Sequence, residues 1–265
     1  MSQQEYVSYP AGPSRRHPIF QTPGLDFIAH HSIHRTLLRC ECPAEGRLIL
    51  LRTQADWGAI SREDGRALLS SSENRRARHF PNPSFAKRYL VGRAVLRRVL
   101  SSMLNCSPAL VDLVESAEGQ PRMRDAGFPL SIYVAYAGTS IVIGMSATPL
   151  AVGVAAPAAG ADRDAGGRYA ERDAAFAITL FPDLPGCPEW TVQRARRRSV
   201  SRLAEGGVAQ LDLTIATQYG AAFMIDTPQG PWGQVLDLPM PGRVAAAVAL
   251  ARRVTHIDAF GWMRD

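Results

Sequence analysis

Cysteine is scarce in this chain. Four residues (Cys40, Cys42, Cys106 and Cys187) in 265 cannot build a disulfide framework. Cys40 and Cys42 share one face of an extended segment, and no second Cys/His pair stands at zinc-finger spacing, so core-facing free thiols are expected. Long apolar runs are missing too: none reaches the ~18–20 residues that cross a bilayer. The start, MSQQEYVSYPAGPSRRHP, lacks the hydrophobic stretch of a secretory leader. These absences set a cytoplasmic chain with no membrane partner as the expectation. The arginines come without interleaved aromatics, and no helix-turn-helix or RNA-binding signature occurs, which argues against nucleic acid. No internal repeat is visible.

What is present is average in bulk. At 46% hydrophobic and 20% charged, 265 residues suffice for one large domain or two small lobes. The net charge of +6 favours a phosphate-rich ligand or an acidic protein partner, or simply serves solubility.

Along the chain, residues 1–22 are rich in Pro, Ser and Gln and read as a mobile tail. "LDFIAHHSIH" and "RLILLRT" read as extended. Residues 61–104 read as helical, with cap-like starts at Ser61 and Ser72. Within them Phe85, Tyr89, Ala94, Leu96, Leu100 and Leu104 recur at helical spacing around an arginine face. "ALVDLVES" reads as a strand, "EGQPRM" as a turn, and "PLSIYVAYAGTSIVIGMSATPLAVGVA" as two or three strands. "PEWTVQRARRRSVSRLAEGG" reads as a helix ended by Gly206-Gly207. "AQLDLTIAT", "AAFMIDT", "WGQVLDL" and "RVAAAVALARR" suggest a second small sheet. The order predicts an α+β protein: a lobe over 23–148 and a comparable lobe over 149–265.

Four segments, in order, carry a family resemblance: "LLSSSENRRARHF", "KRYLVGRAVLRRVL", "EGQPRM" and "WTVQRARRR". Together they resemble the 4'-phosphopantetheinyl transferase superfamily of the surfactin-synthetase-activating type, over about Leu69 to Arg252. The resemblance implies two similar α/β lobes in pseudo-twofold arrangement. It also implies transfer of phosphopantetheine from coenzyme A to a carrier-protein serine, with magnesium bridging the pyrophosphate. Such chemistry needs carboxylate ligands for the cation and a base for the serine.

Position by position, those acids are absent. The family's Gly-Val-Asp-x-Glu falls on "GVAAP", which puts Ala155 and Pro157 at the acidic places. The helix glutamate falls on Arg194. The Ser-His that grips coenzyme A falls on Ala135-Tyr136, and the lysine of Gly-Lys-Pro on Gln120. Asp162, Asp164 and Glu171 lie in a Gly-rich segment beyond the strand end, a poor platform for a metal. Arg194 would repel magnesium yet suit a pyrophosphate free of it.

Arg76, Arg88 and Arg198 occupy basic positions that, in relatives, approach coenzyme A phosphates or carrier-protein acids. Trp190 and Ala195 read as structural members of their helix, Arg93 and Arg97 as a continuation of theirs. The plain reading of Arg196-Arg197-Arg198 is a solvated helix face, and that of Tyr136 a core-facing strand aromatic. His30 and His31 point to opposite faces, so a metal site with His34 is not expected. His79 reads as packing or surface. The expectation is therefore a pseudoenzyme that binds a protein partner, a carrier protein or biosynthetic enzyme, and is monomeric alone. No cofactor and no magnesium are expected, while coenzyme A stays open as a ligand. The alternatives are a metal-independent enzyme using Arg88, Tyr136, Arg194 and Arg198 on a pantetheine ligand, or a transferase still active.

Overall fold

The computed structural model describes residues 17–31, 41–56, 61–156, 180–181, 190–205 and 212–263. The apolar runs explain its layering. In β2 (Arg47–Gln54) the four residues Leu48 to Leu51 are all buried. Leu48 and Leu50 face one apolar cluster and Ile49 and Leu51 another, as period-two alternation requires of a strand covered on both faces. β6 (Ser140–Ser146) and β7 (Leu150–Ala155) are likewise buried throughout.

The remaining strands are β1 (Asp26–His30), β3 (Leu113–Glu115), β4 (Pro121–Met123), β5 (Ser131–Ala137), β8 (Thr214–Tyr219), β9 (Ala222–Thr227), β10 (Gly230–Leu238), β11 (Ala245–Leu250) and β12 (His256–Phe260). The first sheet has the order β1-β12-β2-β6-β5, the second β7-β11-β10-β9-β8, and β3 pairs with β4 in a two-stranded ribbon. The α-helices whose bounds lie among the described residues are α1 (Arg62–Ala67), α2 (Ser71–Arg78), α3 (Pro83–Leu104) and α4 (Trp190–Ala204).

The result is an α+β protein in four layers. The outer face of the first sheet (Ile141, Ile143, Phe260) packs on α3 (Val95, Leu96, Val99). Its inner face (Leu48, Val142, Ile257) meets the inner face of the second sheet (Val152, Leu236, Val248). The outer face of the second sheet (Phe223, Val235, Ala247) packs on Ala195 and Val200 of α4. Among the described residues no helix is long and apolar enough to cross a membrane.

Several sequence expectations need correction. The helical stretch 61–104 divides into three helices where the two cap-like starts implied two. Ser61 caps α1, and Ser70, rather than Ser72, opens α2 in a capping box with Glu73. Asn82 caps α3, whose first residue is Pro83. Asn105, at φ 49°, ends α3 in the left-handed region. "ALVDLVES" gives only the three-residue β3, because Pro108–Leu110 turn as a 3-10 helix. Residues 17–22 belong to the packed body rather than a tail: Pro18–Gln21 form a 3-10 turn and Ile19 is closed to solvent. Finally, β12 lies parallel between β1 and β2 in the first sheet. Strands from both sides of the boundary drawn at 148/149 thus share the first sheet. Asp258 of β12 binds these strands together: His30 Nε2 of β1 lies 3.2 Å from its Oδ1, and Arg47 Nη2 of β2 donates to its Oδ2 at 2.8 Å.

Candidate functional site

The close contact of β7 and α4 starts from one glycine. A Cβ on Gly153 would fall 2.0 Å from the Ala195 carbonyl oxygen and 2.6 Å from the Ser199 nitrogen. Only glycine lets the two backbones approach so far, and the small Ala195 completes the seat. The helix runs antiparallel to the strand. Arg198 Nη1 donates to the Val154 carbonyl at 2.6 Å and Arg202 Nη1 to the Val152 carbonyl at 3.2 Å. β7 is an edge strand, so these guanidiniums take the carbonyls that another strand would otherwise claim.

The arginines of α4 are therefore not a solvated face. Arg197 and Arg198 are 4% and 5% exposed. Arg196 forms a two-pronged ion pair with Asp237 of β10 (Nε–Oδ1 2.8 Å, Nη2–Oδ2 2.5 Å) and covers the Phe223 ring. Arg194 precedes Arg198 by four residues, hence shares its helix face, and its guanidinium lies 5.7 Å from the Trp190 ring. Ala155, at the end of β7, is 1% exposed and belongs to the apolar cluster of Leu180, Phe181 and Ala195. Pro157, Asp162, Asp164, Glu171 and His34 lie outside the described residues. Among the described residues no three His, Cys, Asp or Glu side chains converge as a metal would require.

The other candidates gather beside α3. Arg76 Nη1 pairs with Glu115 Oε2, and Arg93 Nη2 donates to Glu115 Oε1 at 2.6 Å. The Tyr89 hydroxyl donates to the same Oε1 at 3.1 Å. Glu115 is thus the hub of this cluster and holds Arg76. Arg88 donates from Nη1 to the Gly138 carbonyl at 2.9 Å and lies 5.9 Å from the Tyr136 ring. The Tyr136 phenol fits over Gly92, where a Cβ would stand 3.1 Å from its hydroxyl oxygen. Burial pushes the Tyr136 hydroxyl up, against the opposing pull of Arg93 and Arg88, so it stays protonated at neutral pH. Gln120 accepts at Oε1 from the Val134 amide, 2.9 Å, and so caps the edge of β5.

Sequence reasoning missed Glu115, Tyr89 and Arg202. Glu115 carries a weak signal, a lone acid ending an apolar stretch. Arg202 repeats Arg194 and Arg198 at four-residue spacing and reaches across to within 6.0 Å of the Tyr133 ring on β5. Chemically, the described candidates offer cations, a protonated phenol and one carboxylate already engaged by three donors. That set holds anions and supplies no free base. No protein-family model and no curated protein matches this chain.

Proposed function

We propose that this chain is a phosphopantetheinyl transferase-like binding protein without transferase chemistry, its two sheet-plus-helix units being pseudo-twofold lobes. It serves as an assembly or stabilising subunit for a protein partner, a carrier domain or biosynthetic enzyme. One observation carries the reading. The end of β7 and the start of α4 are drawn together at Gly153 and Ala195, yet the side chains at the acidic places there are Ala155 and Arg194. Ala155 is packed among apolar neighbours, and Arg194 carries a cation at the helix's acidic place, where a divalent ion would be repelled. The surviving glycine and alanine serve the backbone contact. A fold kept while its reactive groups are replaced is a fold kept for its surface.

The test is a transfer assay on the full chain with labelled coenzyme A, magnesium and a panel of unmodified carrier domains, alongside calorimetry on the same pairs. The reading expects a carrier domain or its parent enzyme to be bound and left unlabelled. Label on a carrier serine that depends on this chain overturns it. Heat from coenzyme A alone, lost in Arg88→Ala, would point instead to a pantetheine-binding enzyme of altered chemistry, a reading the Arg88–Tyr136 pair favours.

A further inference from the structure

Sheet edges invite further strands unless something blocks them. On the second sheet, Arg198 and Arg202 cap β7. On the first, Gln120 caps β5. Among the described residues β8 has no such guard. It pairs with β9 alone, and its other edge takes no backbone hydrogen bond among the described residues. Its sequence, TIATQY, has no charge and no proline, and five of its six residues are exposed. Ile215 and Tyr219 are 40% and 49% exposed, two of the few large apolar side chains left open to water. Their partners Ile225 and Ala222 in β9 belong to the two opposite cores of the sheet, so the apolar pair presents one side chain on each face.

Charge indicates the occupant. From Leu203 to Gly242 the chain has no Lys, Arg or His, although it holds 30 Lys and Arg elsewhere. Of the four acids in that span, Asp237 is taken by Arg196 and Glu205 lies at the end of α4 near Arg202, which leaves Asp212, two residues before β8, and Asp226, paired in register with Thr214. Neither has an ion-pair partner among the described residues. A second copy meeting β8 across a twofold axis would run antiparallel and set these aspartates beside the uncharged Gln218–Tyr219 end of the other strand, which offers them no counter-charge. A basic segment supplies one.

We infer that the open edge of β8 takes an extended, Lys- or Arg-bearing segment of a partner protein as a sixth strand. Main-chain hydrogen bonds supply the attachment, and Asp212 and Asp226 select for positive charge at one end. The surface is separate from the α3 and α4 residues on which the proposed function rests, so neither reading depends on the other.

Two ten-residue peptides of alternating Val and Thr, one flanked by lysines and one by glutamates, test the inference with the full chain at low salt. The lysine peptide is expected to bind about tenfold tighter by fluorescence anisotropy and to slow amide exchange over Thr214–Tyr219. Both effects should fall in the surface double variant Asp212→Asn/Asp226→Asn. Equal binding of the two peptides, no binding of either, or protection elsewhere than β8 overturns the inference. Concentration-dependent self-association that protects the same amides without peptide also overturns it, by making a second copy the occupant.

Discussion

Arg97 on α3 donates from Nε to Glu73 Oε2 on α2 at 2.8 Å, and the two side chains are only 2% and 6% exposed. The same guanidinium donates from Nη1 to the carbonyls of Pro108 and Val111, while Glu73 closes the capping box on Ser70. One buried pair thus links the start of α2, the middle of α3 and the turn that follows it. Removing either partner strands a charge in the core. Glu73→Gln or Arg97→Met is expected to cost about 3–5 kcal/mol, read as a lowered urea midpoint. The double replacement Glu73→Leu/Arg97→Met should cost clearly less than the two single changes summed.

Gly153 makes a second, steric prediction. In Gly153→Ala the new methyl meets backbone, 2.0 Å from the Ala195 carbonyl oxygen, so α4 must lift off β7. The expected loss is about 2–3 kcal/mol, together with weakened Arg198 and Arg202 contacts to the strand. Gly144→Ala is the control. Its methyl would meet the Leu150 Cδ1 atom at 2.6 Å, a side-chain end that can turn aside, and the loss should be smaller.

These two sites show what was legible and what was not. β2, β6 and β7 could be read because a strand covered on both faces needs an unbroken apolar run. The four layers could not, because no local pattern says which cluster Leu48 and Ile49 will join. Arg93 and Arg97 were read with a polar face. They turn inward because Glu115, Glu73 and three backbone carbonyls wait for them, partners no helical period can announce. β12 escaped notice because five residues make a weak signal, and its place depends on β1 and β2 lying more than 200 residues upstream. At the candidate site, Gly153 and Ala195 were visible as pattern and are now explained by the close backbone approach. Arg196 and Arg198 beside them were misjudged because their acceptors, the Asp237 carboxylate and the Val154 carbonyl, come from strands more than 40 residues away in the chain.

Asp258 gives a pH prediction. Burial pushes its carboxyl up, but hydrogen bonds from His30 and Arg47 and the nearby His256 outweigh that and hold it below the usual carboxylate range. A carboxyl depressed in the folded state adds stability above its ordinary value, and that stability is lost as pH falls through the depressed one. Asp258→Asn should therefore destabilise the protein by about 1–2 kcal/mol near pH 7. The gap to the parent should close as pH falls below the usual carboxylate range, as measured by urea unfolding across the acid range. Because Asp258 ties β1 and β2 to β12, the same change should speed amide exchange in Asp26–His30 first.

Placing acids at residues 155 and 194 tests how the end of β7 meets the start of α4. Ala155→Asp alone places a carboxylate among Leu180, Phe181 and Ala195, and should cost about 2–4 kcal/mol. With Arg194→Glu added, two carboxylates approach one another from strand and helix, and their repulsion calls for a divalent cation. Manganese should then raise the melting temperature of the double variant and leave the parent unchanged. If manganese does nothing for the double variant, residues 155 and 194 do not face one another. The loss of a metal site would then no longer account for their identities.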